Sequence, residues 1–413
     1  MKILLVTDHF CGISNPNANR IGSWVTHFCA QNTTVYVAQT EIFEALNTAD
    51  LPKNCSVIQL KMRSGVGSKI GIFLGESSFF YRIFSWVYYL VTKNALHQNF
   101  LWHFKNQKIM QQLAFTPHDL VITTAPSFGT FDVGAYMHKK TGCCWVADYR
   151  DLYTSKQHRV RSTHFSRLLL DKINVGLEQK MLRTAHYITT ATATMQQELK
   201  AILPQKNVVV IENGYDALLQ NFDFHKETGE CLKLLYFGKW VTTQDIDNVL
   251  LKGLELFVKT YPNAPIKLQL VGSQSPEMAR RLAQFKHLLQ VMELVAWQPL
   301  AQGLELVARA HVLLQLSIRH SAGISGTKTY TYIKAKKPII FIQPDGGEIQ
   351  QIFDALGVAH HASTPQEVAA LLHFFYKKLE NNQSFVLNTP DSALQMYSRA
   401  HQAEKLWRLI SVV

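Results

Sequence analysis

The stretch that decides the fold is Ser325–Glu348, SGTKTYTYIKAKKPIIFIQPDGGE. It predicts a Gly-containing loop, a short helix, an apolar strand and a second Gly-rich loop. Glycines let a ligand approach the backbone closely, and free N–H groups at a helix start attract phosphate oxygens. Two such loops at successive strand ends therefore predict a pocket for a phosphate-bearing ligand.

Short apolar runs alternate with helical patterns from end to end of the 413 residues. The runs are nearly continuous in apolar residues, which is typical of parallel strands covered on both faces. Between them lie amphipathic segments, such as the one with Ile21, Trp24, Val25 and Phe28 on one side. The pattern predicts an open α/β fold. The predicted strands are KILLVT, TVYVAQ, SVIQL, DLVITT, CCWVAD, HYITTA, NVVVI, KLLYFG, KLQLVG, VMELVA, HVLLQL and PIIFI.

The length predicts two domains, because 413 residues are too many for one ordinary core. The alternation pauses over residues 213–230, a polar segment that we interpret as a linker. The predicted domains are therefore residues 1–212 and 231–390, each Rossmann-like and doubly wound. Residues 391–413 predict a C-terminal helix that can cross back to the first domain.

Composition narrows the function classes. The net charge of +12 favours anionic partners such as phosphorylated molecules or anionic lipid. The apolar run at the N-terminus, Ile3–Val6, is too short for a secretory signal, and Phe79–Val91 is too short for a membrane span. We expect a cytoplasmic protein whose scattered cysteines are buried and bind no metal: Cys11, Cys29, Cys55, Cys143, Cys144 and Cys231.

Two loops in the first half carry polar residues after strands. Gly12 and Asn17 are turn formers before a helix, and Arg20 stands at its mouth. Together they suit an anion or a sugar hydroxyl, although an ordinary capped loop has the same composition. Ser127 shapes the turn after the fourth strand. The dinucleotide fingerprint GxGxxG is absent from the first loop.

The segment WVADYRDLY places Asp148, Arg150 and Asp151 at a strand end. Two carboxylates and one guanidinium there can hold an acceptor hydroxyl or act as a general base. The alternative is an Arg–Asp pair that only fixes the loop. The sequence does not choose between Asp148 and Asp151 as the base, and His9 is a third candidate.

Loops after strands in the second half provide the candidate ligand-binding residues. The lysines can neutralise phosphate charge, and the glycines allow close approach of the ligand. Glu348 lies in the first turn of a helix, where the dipole favours a carboxylate, so simple helix capping is the alternative for it. The candidates are Gly238, Lys239, Gly272, Ser273, Arg319, Ser325, Gly326, Thr327, Lys328, Gly346, Gly347 and Glu348. The P-loop spacing GxxxxGK[ST] does not occur in this region.

The order of several motifs resembles a known family. NPNANRIG, TTAPSFGTF, WVADYRDLY, IENGYDA, LLYFGKW, LQLVGS and KTYTYIKAKKPIIFIQPDGGEIQQI are similar to segments of bacterial GT-B glycosyltransferases. The resemblance is strongest to retaining glycosyltransferase family four, or group 1, whose members build capsule, O-antigen and other surface polysaccharides. It covers nearly the whole chain and implies two Rossmann-like domains facing across a cleft.

The resemblance also implies the reaction. The C-terminal domain would bind a nucleotide-diphosphate sugar, and the N-terminal domain would bind a glycan or polyprenyl-linked acceptor. Lys328 would act with Asp148, Arg150 and Asp151 in catalysis. We expect no metal and no cofactor, because lysines and helix ends can stabilise the leaving diphosphate, and no nucleic-acid partner.

The sequence departs from the family at one important place. Members usually carry a Glu-x7-Glu pair, whose positions are Gly323 and Thr331 here, and the Gly of their GKP motif is Lys336. Two alternatives to the transferase stay open, and the missing pair supports the first of them. One is a catalytically weak or inactive GT-B-like subunit that binds a partner or glycan, and the other is a nucleotide-sugar epimerase.

The segment from Lys61 to Lys108 mixes basic and aromatic side chains. Such a segment can lie on the cytoplasmic face of the inner membrane, close to a lipid-linked acceptor. The alternative is a helix pair that packs on its own domain.

Overall fold

The computed structural model describes residues 1–7, 10, 16–39, 51–59, 110–125, 128–152, 175–176, 178–227, 229–240, 245, 247–317 and 326–411. The basic segment from Lys61 to Lys108 lies outside these residues. Among the helices described, none is long and apolar enough to cross a membrane.

The chain forms two compact units. The first contains residues 1–212 and 400–413, and the second contains residues 213–399. The segment 213–230, which the sequence predicts as a linker, belongs to the second unit. The predicted C-terminal helix is two helices, Asp391–Gln395 and Arg399–Ile410, and the chain re-enters the first unit at Ala400.

The first unit is a seven-stranded parallel sheet with the strand order β3-β2-β1-β4-β5-β6-β7. Its elements are β1 (Lys2–Thr7), α1 (Pro16–Ala30), β2 (Thr34–Gln39), β3 (Cys55–Gln59), β4 (Leu120–Ala125), α2 (Gly129–Thr141), β5 (Cys144–Tyr149), β6 (Tyr187–Thr190), α3 (Ala193–Ile202) and β7 (Asn207–Val210).

The second unit is a six-stranded parallel sheet with the strand order β10-β9-β8-β11-β12-β13. Two 3₁₀ helices, Ala217–Leu219 and Ala283–Val291, accompany β8 (Leu232–Phe237), α4 (Val249–Thr260), β9 (Ile266–Val271), α5 (Pro276–Leu282), β10 (Met292–Val295), α6 (Leu300–Arg309), β11 (Val312–Leu316), α7 (Thr327–Lys334), β12 (Ile339–Ile342), α8 (Glu348–Leu356), β13 (Ala359–Ala362), α9 (Pro365–Glu380) and α10 (Asp391–Gln395). Helix α11 (Arg399–Ile410) starts at the last residue of the second unit, and the rest of it belongs to the first.

Each sheet is buried on both faces, because successive side chains of a strand point to opposite sides. In β1, Ile3 and Leu5 pack with α1, whereas Leu4 and Val6 join the core on the α2 side. In the second unit, Leu234 and Leu235 likewise belong to separate cores. The predicted α/β fold with two doubly wound sheets is confirmed.

The strand order reverses once in each sheet. β1 lies between β2 and β4 in the first unit, and β8 lies between β9 and β11 in the second. In open parallel sheets, ligands bind at such a reversal, outside the carboxyl ends of the strands. A ligand of the second unit is therefore expected at the carboxyl ends of β8, β9, β11 and β12.

Candidate functional site

Two glycines at strand ends shape the floor of the site in the second unit. Gly238 follows β8 with a φ of +124°, and Gly272 follows β9 with a φ of +74°, both in the left-handed region that favours glycine. The Gly238 N–H donates to the Val271 carbonyl at 2.9 Å. A Cβ on Gly272 would lie 3.8 Å from the carbonyl carbon of Gly238. The two turns therefore lie against each other.

Ser273 fixes the two turns in this arrangement. Its hydroxyl donates to the Gly238 carbonyl at 2.8 Å, and the residue is 1% exposed. Lys239 is exposed, and its carbonyl accepts the Tyr236 hydroxyl at 3.1 Å. Of these predicted donor-binding residues, Ser273 thus supports the turn, while Lys239 is exposed to solvent directly after Gly238.

Helix α7 brings Lys328 to the same place. The Lys328 ammonium lies 3.9 Å from the centroid of the Tyr236 ring, and its Cδ lies 3.8 Å from where a Cβ on Gly238 would be. The Tyr332 hydroxyl, also on α7, accepts the Phe237 N–H at 2.9 Å. The helix is therefore tied to the end of β8, so that Lys328 has a fixed position beside the glycine turns.

The electrostatics of Lys328 are unusual for a lysine. Burial lowers the pKa of its ammonium to about 7, because the charged form loses hydration. The face of the Tyr236 ring offers the ammonium a weak favourable contact. A lysine in this state gains its full charge when an anion arrives, which suits a phosphate-binding role.

Helix α7 begins at Thr327, as the sequence predicts. Gly326 is its N-cap and is exposed, and as a glycine it has no side chain to cap the first turn. Because the first N–H groups of a helix have no partner within the helix, this end can donate to a phosphate. Thr327 and Lys328 supply the first two of these N–H groups.

Trp297 is a candidate that the sequence analysis missed. It follows β10, and its side chain is 72% exposed. A Cβ on Gly272 would lie 3.8 Å from its Cδ1 atom. An exposed indole beside a glycine turn is a suitable platform for a flat ring. The signal available in the sequence was an aromatic residue directly after a strand, at the edge where ligands bind.

The second Gly-rich loop uses its own N–H groups. The Gly346 N–H donates to Gln350 Oε1 at 2.7 Å, and the Gly347 N–H donates to Asp345 Oδ1 at 3.0 Å. Ser317 at the end of β11 donates its hydroxyl to Asp345 Oδ2 at 2.8 Å. The sequence predicts that the Gly346 and Gly347 N–H groups bind phosphate, but in this structure they donate to Gln350 on α8 and to Asp345 in the loop. Glu348 is buried, with 6% exposure.

In the first unit, Asp148 is in the interior and not at the surface. It is 0% exposed and accepts hydrogen bonds from Arg20 at 3.0 Å, Thr189 at 2.7 Å and Thr124 at 3.1 Å. Arg20 is itself only 2% exposed. These contacts favour the alternative in which Asp148 belongs to an Arg–Asp pair that fixes the loop. They also show that Arg20 binds a carboxylate of the protein itself, in place of the sugar or anion predicted for it.

Asp151 and Arg150 lie just beyond the buried carboxylate. Asp151 is exposed, whereas Arg150 is half-buried and donates its Nε–H to the Ala125 carbonyl at 3.1 Å. Asp151 is therefore the accessible carboxylate of the WVADYRDLY segment. The remaining candidates lie outside the described residues: His9, Gly12, Ser127, Arg319 and Ser325, together with the side chain of Asn17.

Within the part of the chain that the structure describes, no group of three or more His, Cys, Asp or Glu side chains is placed to hold a metal ion.

Solved structures resemble the whole chain. Anabaena HepE in complex with UDP and glucose has a TM-score of 0.61 and 13% identity, with 100% of both chains covered. The pneumococcal O-GlcNAc transferase GtfA, in complex with UDP and GlcNAc, has a TM-score of 0.59 and 13% identity, with 100% of this chain and 98% of GtfA covered. The lipopolysaccharide outer core galactosyltransferase WaaB has a TM-score of 0.59 and 12% identity, with 100% of both chains covered. The chain has a GT-B fold.

The sequence comparisons, unlike the structural one, found no relative of this chain. No protein-family model matches the chain, and no curated protein matches its sequence. At 10–13% identity, the structural likeness establishes the GT-B fold alone, and activity has to be argued from the site.

Proposed function

We propose that this protein is a glycosyltransferase that moves a sugar from a nucleoside-diphosphate sugar to a glycan or lipid-linked acceptor. We further propose that it retains the anomeric configuration, needs no divalent metal and serves bacterial surface-polysaccharide synthesis, as its motifs suggest. The net charge of +12 supports an anionic, lipid-linked acceptor.

One observation carries the proposal. Gly238, Gly272, Trp297 and Lys328 meet at the carboxyl edge of the second sheet of a GT-B fold. Glycine turns admit the diphosphate, Lys328 and the start of α7 supply positive charge, and the indole supports a nucleobase. This combination offers contacts for the diphosphate and for the nucleobase of a nucleotide sugar.

The proposed chemistry follows from where charge develops. The bond between the anomeric carbon and the diphosphate oxygen breaks, and the acceptor oxygen forms a bond to that carbon. The diphosphate leaves with an extra negative charge, which Lys328 and the α7 N–H groups stabilise. The acceptor hydroxyl loses its proton, and Asp151, as the exposed carboxylate, is our candidate to accept it.

The direct test is incubation of the full chain with UDP-glucose or UDP-GlcNAc, the pairing of nucleotide and sugar suggested by the HepE and GtfA complexes. We expect mass spectrometry to detect UDP release that EDTA does not reduce. If the chain neither binds UDP, GDP or ADP sugars nor releases the nucleoside diphosphate from any of them, the proposal is refuted.

A second candidate is a GT-B-like subunit that binds a nucleotide sugar or glycan without turnover. Thr331 favours it, because a 7% exposed threonine stands where the family usually has a glutamate. Tight UDP binding without any release from UDP sugars, even with added bacterial lipid extract as acceptor, would support this candidate over the transferase.

The pH dependence of donor binding tests the state of Lys328. Its pKa of about 7 means that the ammonium is charged below pH 7 and neutral above it. The affinity for UDP-glucose, whose diphosphate stays anionic, should therefore fall by roughly 30-fold between pH 6 and pH 8.5, following the protonated fraction. Calorimetric titration measures it. Lys328→Arg should flatten the profile, because arginine stays charged, and an equal slope in this variant contradicts the assignment.

Replacement of Trp297 tests the nucleobase platform. Trp297→Ala should weaken UDP binding by roughly tenfold, since one base stacked on an aromatic ring contributes about 1–3 kcal/mol. Folding should be unaffected, because the side chain is 72% exposed. Leu294→Ala, a 40% exposed residue of β10, is the matched control and should bind UDP normally. Equal affinities for the two variants would remove Trp297 from the site.

A further inference from the structure

A buried polar network crosses three strands of the first unit. Thr124, Asp148 and Thr189 are register partners on β4, β5 and β6, so their side chains form one row on one face. Both threonine hydroxyls donate to the Asp148 carboxylate, Thr189 to Oδ1 at 2.7 Å and Thr124 to Oδ2 at 3.1 Å. All three residues are at most 3% exposed. We call this row, with Arg20, the Asp148 network.

Arg20 connects the row to the end of the unit. Its Nη2 group donates to Asp148 Oδ1 at 3.0 Å and to the Ile211 carbonyl at 2.8 Å, and its Nη1 group donates to the Glu212 carbonyl at 2.7 Å. One guanidinium thus holds a carboxylate on β5 and two successive carbonyls after β7. A guanidinium is suited to this task, because its planar fork presents its N–H donors in fixed directions.

The carbonyls that Arg20 holds lie where the chain leaves the first unit. Glu212 is the last residue of that unit before the chain enters the second. Its N–H donates to Gln402 Oε1 at 2.9 Å, and Gln402 follows shortly after the chain returns at Ala400. Arg20 and Gln402 therefore both hold Glu212, so that the segment where the chain leaves the first unit is bonded to the segment where it returns.

Stability alone does not explain such a pair. A buried ion pair contributes little net stability, and apolar side chains of similar volume often replace it without loss. Its fixed hydrogen-bond directions, by contrast, determine backbone geometry in a way that apolar contacts do not. The network also holds the carboxyl end of β5, directly before Arg150 and the exposed Asp151.

We propose that Arg20 and Asp148 are positioning residues, which set the carboxyl end of β5 and the backbone of Ile211 and Glu212. The inference rests on the proposed glycosyl transfer. In this role the pair makes no contact with substrate. It aligns Arg150 and Asp151, the residues after β5 that we propose to serve the acceptor.

The test is the double variant R20M/D148L, which removes the network and leaves no unpaired buried charge. We expect a melting temperature within a few degrees of wild type and a UDP affinity within about twofold, because the residues proposed to bind donor are in the second unit. The kcat should nevertheless fall at least tenfold at an unchanged KM for the UDP sugar. R20K, which keeps the charge but loses the planar fork, should lower kcat in the same way.

Thr189→Val keeps the test decisive if the double variant does not fold, because it is nearly isosteric and removes only one donor to Asp148. We expect about threefold lower kcat at wild-type UDP affinity. Wild-type kcat in folded R20M/D148L or in Thr189→Val overturns the positioning role, as does a parallel loss of UDP affinity. An absence of wild-type turnover refutes the proposed function instead, so the two failures are distinguishable.

Discussion

Lys328→Met should lower kcat/KM for the nucleotide sugar by roughly 100-fold. A hydrogen bond from a charged donor contributes about 1.5–3 kcal/mol, and the charge is needed most when the diphosphate leaves. Methionine keeps an unbranched stem beside Gly238 and removes the ammonium that lies over the Tyr236 ring, so the loss reports the ammonium. Steady-state kinetics with UDP release as the readout measures the change.

The matched control for this variant is Lys334→Met on the same helix. Lys334 is also half-buried, but its ammonium lies 3.7 Å from Asp391 and 5.6 Å from the Tyr215 ring centroid. We expect nearly normal kinetics for it. If both variants lost activity equally, the effect would belong to helix α7 as a whole, and Lys328 would have no special part in donor turnover.

Gly134→Ala should destabilise the first unit by about 3 kcal/mol. A Cβ at this position of α2 would lie 2.0 Å from Nε1 and 2.3 Å from Cε2 of Trp145. The indole cannot move aside easily, because it is 0% exposed and its Nε1–H donates to Thr123 Oγ1 at 2.9 Å. Overpacking of this kind shifts the backbone and breaks the hydrogen bond. Calorimetry should show a melting temperature lower by roughly 6–12 °C.

Gly22→Ala is the control, since it makes the same substitution in helix α1 with no atom within 4 Å of the new Cβ. It should leave stability unchanged or raise it by up to about 1 kcal/mol, because alanine favours the helix. Equal effects of the two substitutions would mean that α2 can move away from β5 freely, contrary to the packing described.

The strands could be predicted because each is a nearly continuous apolar run, and all twelve predicted runs form strands. β13 was not predicted, since His360 and His361 interrupt its apolar pattern. Both histidines are tolerated because they are only half-buried at the edge of the sheet. Exposure at an edge strand depends on the order of the strands, which no local pattern contains.

The sequence predicts the part of the site that lies in loops at the ends of strands, and not the part that depends on contacts between distant residues. Gly238, Gly272 and Lys328 are brought together because parallel strands end at one edge. The burial of Asp148 depends on Arg20, which lies far away in sequence on α1. The exposure of Trp297 is equally nonlocal. The capping of Gly346 by Gln350, by contrast, spans four residues and was open to prediction from spacing alone.

The return of the chain to its first unit has a consequence for biosynthesis. Ala403, Leu406 and Ile410 are 0–2% exposed and pack with Ile21 and Phe28 in the same core. The ribosome makes these residues only after all of residues 213–399. Domains usually fold as they emerge, the N-terminal one first, but here the α1 face stays uncovered until the later half has been translated. We therefore expect the first unit to complete this core only after the second unit has been synthesised.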